Sequence, residues 1–296
     1  MKKILFLILL LIIMVGNTKS ANISETMAIS HDTTVASGAY ALIAGGSKGI
    51  GYALAVALAR RQYNLILIAR HLDSLQAAKQ KLESAYGVHV ELLVNDLSRE
   101  ESADEIAAWC IAKNISLKML CNVAGSGGER DYLTMSLEEL RYMVRLNVES
   151  CMALTLRLLP LLEKNAPSYV LNVASIAGLA PIPSKNMYSA TKSSVIFFSY
   201  SLHYQLMEKN ISVSCLAPGP VFTKPSIVRD TKNKLGWFGT KMAVKPEKVG
   251  EIAIRKTLKG ELLIIPGTLA RVSSVIIRVM PRKWIVSIYN NAGKKK

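Results

Sequence analysis

The chain has 296 residues, half of them hydrophobic and a fifth charged, which excludes a disordered chain, a collagen-like repeat and a small disulfide-built domain. Lys and Arg number 37 against 21 Asp and Glu, a formal net charge of +16. The excess gathers from Lys224 onward, where 17 basic residues stand against 4 acidic ones, a distribution that suits an anionic surface or substrate better than a uniformly basic fold.

In chain order, Lys2 and Lys3 precede an unbroken apolar run from Ile4 to Val15, and small or polar residues follow to Ala21. A basic start, a short apolar run and small residues describe an export signal, either cleaved or kept as an anchor. The run is shorter than the ~20 residues of a spanning helix. Residues 1–21 therefore read as signal or signal-anchor, and the polar stretch 22–38 as a linker. The location expected is membrane-associated or exported, with the cytoplasmic face left open. From Ala39 onward, short runs rich in Leu, Ile and Val alternate with segments of helical period. The runs are Ala39–Ala44, Leu65–Ala69, Val88–Val94, Leu117–Asn122, Tyr169–Val173, Ile211–Leu216 and Leu262–Ile265; strands covered on both faces have this character. Between them, Gly49–Arg61, Leu72–Tyr86, Ser98–Lys113, Ser136–Lys164, Met187–Lys209 and Pro246–Lys259 carry apolar residues at helical spacing. Ser136 with Glu139 forms a capping box, and Pro246 stands where a first helical turn tolerates proline. The alternation predicts one α/β domain over 39–265, a doubly wound parallel sheet of Rossmann type with right-handed crossovers. Residues 266–296 form a basic extension with a helical stretch over Ala270–Met280.

The first strand runs into Gly45-Gly46-Ser47-Lys48-Gly49-Ile50-Gly51 before a helix. Such a turn lets the backbone approach a pyrophosphate and presents free helix N–H groups to the anion. The second strand ends in Arg70, where an acidic residue would bind the ribose 2′-hydroxyl of NAD. An arginine fork suits a 2′-phosphate, and Lys48 adds a second charge. Farther on, Tyr188 and Lys192 stand four apart, on one face of a helix. An ammonium beside a phenol favours the phenolate and lowers its pKa, so that the tyrosine can exchange a proton with a carbonyl or alcohol oxygen.

With these features in this order, the sequence resembles the short-chain dehydrogenase/reductase family over residues 39–265. The resemblance assigns Ser175, thirteen residues before Tyr188, to hold the substrate carbonyl, and Asn147 to a proton relay through a bound water. It makes Asp96 and Leu97 the adenine contacts. It places Asn122, Ala124 and Gly125 in the turn after the fourth strand, and Pro218, Gly219, Val221 and Thr223 beside the nicotinamide. The glycine-loop residues Gly45, Ser47, Lys48, Gly49, Ile50 and Gly51, with Arg70, Tyr188 and Lys192, complete the expected cofactor set. The catalytic group is then Asn147, Ser175, Tyr188 and Lys192. Lys192 lowers the Tyr188 pKa and holds the nicotinamide ribose. Two positions depart from the family pattern: Ala44 stands for a usual Thr and Val123 for a usual Asn, each removing a hydrogen bond.

The implied activity is NADP(H)-dependent interconversion of a carbonyl and a secondary alcohol, on an apolar lipid, steroid or acyl substrate. The alternative is a non-catalytic nucleotide-binding regulator on the same fold, which usually lacks the Tyr or the Lys. A homo-oligomer paired through Ser136–Lys164 and Met187–Lys209 is expected by the same resemblance. The segment Lys224–Ala243, with Gly236, Trp237, Phe238 and Gly239, reads as a lid over the substrate or as an ordinary loop. The C-terminal stretch suits a membrane interface or packing on the domain edge. The basic segment lacks the interleaved aromatics of single-strand nucleic-acid binders. The four cysteines, Cys110, Cys121, Cys151 and Cys215, read as buried thiols, with no metal-ligand spacing.

Overall fold

A computed structural model describes residues 38–127, 132–223 and 242–294, with side chains described as far as Asn291. The proposed signal and linker (1–37) and nearly all of the 224–243 segment lie outside the described residues. Seven strands form one sheet: β1 (Tyr40–Ala44), β2 (Asn64–Ala69), β3 (Val90–Val94), β4 (Leu117–Asn122), β5 (Ser168–Val173), β6 (Ile211–Leu216) and β7 (Leu263–Ile264). Their order is β3-β2-β1-β4-β5-β6-β7, and every pairing is parallel. The chain therefore reverses its winding at β1, and the crevice between β1 and β4 is the switch point.

The strands are continuous apolar runs because helices cover both faces. Leu42 and Ile43 of β1 and Leu65–Ile68 of β2 are fully buried. The described helices are α1 (Gly49–Ala59), α2 (Leu72–Tyr86), α3 (Ser102–Ala112), α4 (Leu137–Val144), α5 (Ser150–Lys164), α6 (Asn186–Leu206), α7 (Pro246–Thr257), α8 (Thr268–Val279) and α9 (Arg282–Lys294). One core layer packs α1, α2 and α7 on the sheet, and the other packs α3 and α5. The Ser136 capping box forms, with the Glu139 amide donating to Ser136 Oγ at 3.2 Å and the Ser136 amide donating back to Glu139 Oε2 at 3.2 Å. The single helix expected over Ser136–Lys164 is instead α4 and α5 joined by a π-helical turn at Arg145–Glu149. An inserted residue of this kind leaves helical periodicity almost intact, which hides it from sequence pattern, and it re-aims one side chain. The side chain turned inward here is Asn147, which is buried.

Six motif-bearing segments lie at the carboxyl ends of the strands. The glycine turn follows β1, Arg70 follows β2, Asp96 follows β3, and Val123–Gly125 follow β4. Ser175 follows β5 and Pro218–Gly219 follow β6. Parallel pairing carries six separate stretches of sequence to one edge, bordering one crevice.

Candidate functional site

The glycine turn is built for backbone approach. Gly45 has φ +96°, a conformation that favours glycine. A Cβ on Gly51 would stand 2.0 Å from the Gly45 carbonyl oxygen, so α1 can begin this close to the turn only without a side chain there. The first intrahelical bond is Tyr52 N–H to the Lys48 carbonyl. The amides of Gly49, Ile50 and Gly51 thus have no acceptor inside the helix, and they face the crevice mouth as an anion cradle. Thr223 closes over the turn, with its methyl 3.3 Å from a Cβ position on Gly49. This cradle fits a dinucleotide pyrophosphate on geometric grounds.

The nucleotide end carries the expected basic side chains. Lys48 is exposed at the N-cap of α1. Arg70 is exposed and donates from Nη1 to the Tyr142 hydroxyl of α4 at 3.1 Å. Asp96 accepts from the Ser98 amide (3.0 Å) and hydroxyl (2.8 Å). Burial would raise its carboxyl, but these bonds and the nearby Arg70 and Arg99 hold it below its ordinary value. Leu97 is buried beside Ala103 and Ile106 in the core.

The catalytic candidates converge from three elements. Ser175 caps a 3₁₀ turn, Ile176–Leu179, by accepting the Ala177 amide at 3.2 Å. Its hydroxyl lies close enough to the phenol of Tyr188, half-buried on α6, to pull that group's pKa down. Lys192, one turn farther along α6, is buried and donates from Nζ to the Val173 carbonyl at 2.8 Å. Asn147 makes a two-way bond with Ser126: its Oδ1 accepts the Ser126 amide at 2.6 Å, and its Nδ2 donates to the Ser126 carbonyl at 2.8 Å. The same Nδ2 donates to Thr191 Oγ1 at 3.1 Å. Gly125 lies between these groups, since a Cβ there would stand 3.2 Å from both Asn147 Oδ1 and Lys192 Nζ. Gly127 lies against the Tyr188 ring in the same way, at 3.2 Å.

The Asn147 side chain clamps the loop after β4 onto α6 through Ser126 and Thr191. Burial pushes the Tyr188 phenol up, with the Ser175 hydroxyl pulling it down, and burial pushes the Lys192 ammonium down to about 8. The Val173 carbonyl accepts from Nζ and holds it against the end of β5.

Asn122 is turned away from the crevice. Its Nδ2 donates to Thr155 Oγ1 (3.0 Å), Asn172 Oδ1 (2.9 Å) and the Cys151 carbonyl (3.4 Å). Asn172 in turn donates to Ser199 Oγ at 3.0 Å. This buried polar ladder ties β4, β5, α5 and α6 together directly beneath Lys192. Asn172, Thr155, Ser199, Ser126 and Thr191 were absent from the sequence reading. A buried Asn inside the otherwise apolar run of β5 was the available signal, because an unpaired amide in a core is costly and implies a partner. The four cysteines are buried free thiols. Burial pushes Cys151 and Cys215, the two nearest Lys192, up to about 12.

Fold and crevice together define a Rossmann-type doubly wound domain, with its nucleotide crevice at the switch point. The chain belongs to the short chain dehydrogenase family, whose profile matches residues 39–233. A very-long-chain 3-oxoacyl-CoA reductase of Mus musculus is 30% identical over 191 residues, covering 63% of this chain and 61% of its own length. The chain thus spans about three fifths of the curated relatives it matches. A short-chain dehydrogenase from Sphingobium yanoikuyae, solved with NADPH, is 26% identical with a TM-score of 0.69, covering 80% of this chain and 91% of the other. A 7β-hydroxysteroid dehydrogenase, 20% identical with a TM-score of 0.77 over 85% of this chain and 96% of the other, shares the fold.

Proposed function

We propose that this protein is an NADP(H)-dependent oxidoreductase that interconverts a carbonyl and a secondary alcohol on an apolar substrate of acyl, steroid or lipid type. The observation that carries the reading is Ser175 beside the Tyr188 phenol, with buried Lys192 one helical turn away, at the mouth of a glycine-lined crevice. NADP(H), when bound, supplies or accepts the hydride. The Gly45–Gly51 turn would hold its pyrophosphate. Arg70 and Lys48 would pair with its 2′-phosphate, Asp96 and Leu97 would take the adenine end, and Ala124, Gly125, Pro218, Gly219, Val221 and Thr223 would line the nicotinamide end.

The chain's own residues then divide the work. Ser175 donates to the substrate oxygen and fixes its direction. Tyr188 gives its hydroxyl proton to the oxygen as negative charge develops there, and recovers it in the reverse direction. Lys192 holds a proton at Nζ near working pH, since burial has brought it down to about 8. It stands ready to bind ribose hydroxyls and to favour the tyrosinate when charge appears. Asn147 keeps Ser126, Thr191 and the π turn in place. The NADP preference and the apolar substrate rest on Arg70, on the NADPH-bound neighbour and on the names of the reductase relatives.

A homo-oligomer paired through α5 and α6 belongs to the same reading, because their outer faces expose Leu156 (68%), Phe197 (71%) and Tyr204 (65%). So does membrane association, with residues 1–21 as a signal or anchor. No helix among the described residues is long and apolar enough to cross a membrane. The test is a panel of long-chain 3-oxoacyl, steroid and small carbonyl substrates followed by NADPH absorbance, with NADH alongside. Tyr188→Phe should remove at least two to four orders of magnitude of turnover while fluorescence titration still shows NADPH binding. Retained turnover would overturn the proposal.

A further inference from the structure

The C-terminal pair of helices has an outward face that the reaction does not use. On α8, Leu269, Val272, Val275, Ile276 and Val279 fall on one stripe at helical spacing, and all five are exposed; Val272 is 50% and Val279 55% accessible. The opposite side of α8 is the one that packs. Ala270 is fully buried with Ala217, Met242 and Ile265, against Ile176 and Leu179 of the turn that Ser175 caps. Helix α9 continues past Pro281 with Trp284 (49%) and Ile288 (55%) exposed one turn apart. Arg282 Nη1 ties its start to the Leu179 carbonyl at 3.0 Å.

Charge decides what covers this stripe. Residues 266–296 contain three Arg and four Lys and no Asp or Glu. Arg271 and Arg278 lie seven residues apart on one flank of the apolar stripe, both exposed. A second copy of the chain packed here about a two-fold axis would set these cations against their own images. An anionic phospholipid surface meets both features, taking the apolar stripe among its acyl chains and pairing its phosphates with the flanking cations.

We infer that α8 and α9 form a docking surface for an anionic lipid bilayer. The Ser175 turn packs directly on the back of this surface. Docking therefore holds the substrate end of the crevice at the bilayer, where an apolar carbonyl compound can enter from the lipid side. That delivery role rests on the reductase reading above, whereas the docking itself does not.

The four native cysteines are buried, so a cysteine introduced at Val279 can be labelled selectively in the full-length protein with an environment-sensitive fluorophore. Ile111→Cys, on exposed α3, serves as the control position. With phosphatidylserine-containing vesicles the label at 279 should shift to the blue and brighten, while the label at 111 should not. Phosphatidylcholine vesicles alone should act weakly. Arg271→Gln with Arg278→Gln should weaken the vesicle response roughly 25-fold, about fivefold per charge, with turnover of a water-soluble ketone unchanged. The inference is overturned if the label at 279 ignores anionic vesicles, if both labels respond alike, or if the shift appears without vesicles as protein concentration rises, which would mark a contact between copies. Loss of turnover on every carbonyl tested would strike the reductase reading and leave the vesicle response standing.

Discussion

Replacing Lys192 by Met separates what the buried ammonium costs the fold from what it contributes to the site. Burial depresses the Lys192 pKa from 10.5 to about 8. Below pH 8 the side chain is charged in both folded and unfolded chains, and the folded state carries the full desolvation penalty. The shift corresponds to about 3 kcal/mol at 1.36 kcal/mol per unit. As pH rises from 8 to the unfolded value, the folded protein releases the proton first, and its stability rises relative to a chain without the lysine. Between pH 7 and pH 9.5 the gain is about 2 kcal/mol. Met removes this titration and leaves the Val173 carbonyl without its donor, at about 1–3 kcal/mol, a cost nearly independent of pH. The two terms nearly cancel near pH 7, so Lys192→Met should be close to wild type in stability there. By pH 9.5 it should fall behind by about 2 kcal/mol, while turnover is lost throughout. Urea unfolding of both proteins at several pH values between 7 and 9.5 reads the difference directly, and other titrating groups cancel. A stability difference that stays flat with pH would refute the claim that Lys192 is desolvated by the fold.

Arg70→Ser should raise the KM for NADPH about 10- to 100-fold, the worth of one charged hydrogen bond, and leave that for NADH unchanged; equal effects on both cofactors would remove the 2′-phosphate contact. Gly125→Ala pushes a methyl to 3.2 Å from both Asn147 Oδ1 and Lys192 Nζ. The expected result is about a tenfold lower kcat from misplacement with the thermal midpoint nearly preserved, measured by steady-state kinetics and calorimetry. Phe197→Glu with Tyr204→Glu should reduce the native mass in light scattering to the 32.4 kDa of one chain; an unchanged mass would place the subunit contact elsewhere.

Much of the fold could be read from pattern because parallel strands buried on both faces must be apolar along their length. Each of the seven expected runs became a strand, and each expected helical segment carries a helix. The glycine turn and the Tyr188–Lys192 spacing were legible for a different reason: they depend on local backbone form or on spacing within one helix. The π turn at Arg145–Glu149 was not legible, since one extra residue in a helix of nearly 30 residues leaves the apolar rhythm intact. The direction of Asn122 was equally hidden. Whether an amide at a strand end faces a crevice or a core depends on what the neighbouring strand and helix offer it, and here Thr155 and Asn172 offered the better partners.

The sequence by itself determined the order of strands and helices, the cradle for an anion and the presence of a phenol, a hydroxyl and an ammonium at workable spacing, because these follow from interactions between near neighbours in the chain. Only the tertiary structure decided that Lys192 bonds to the end of β5, that Asn147 bonds to Ser126 and Thr191, and that the outer side of α8 is apolar while its inner side supports the Ser175 turn. Those outcomes arise where residues far apart in the chain compete for the same buried partners, and such competition is resolved only once the layers have packed.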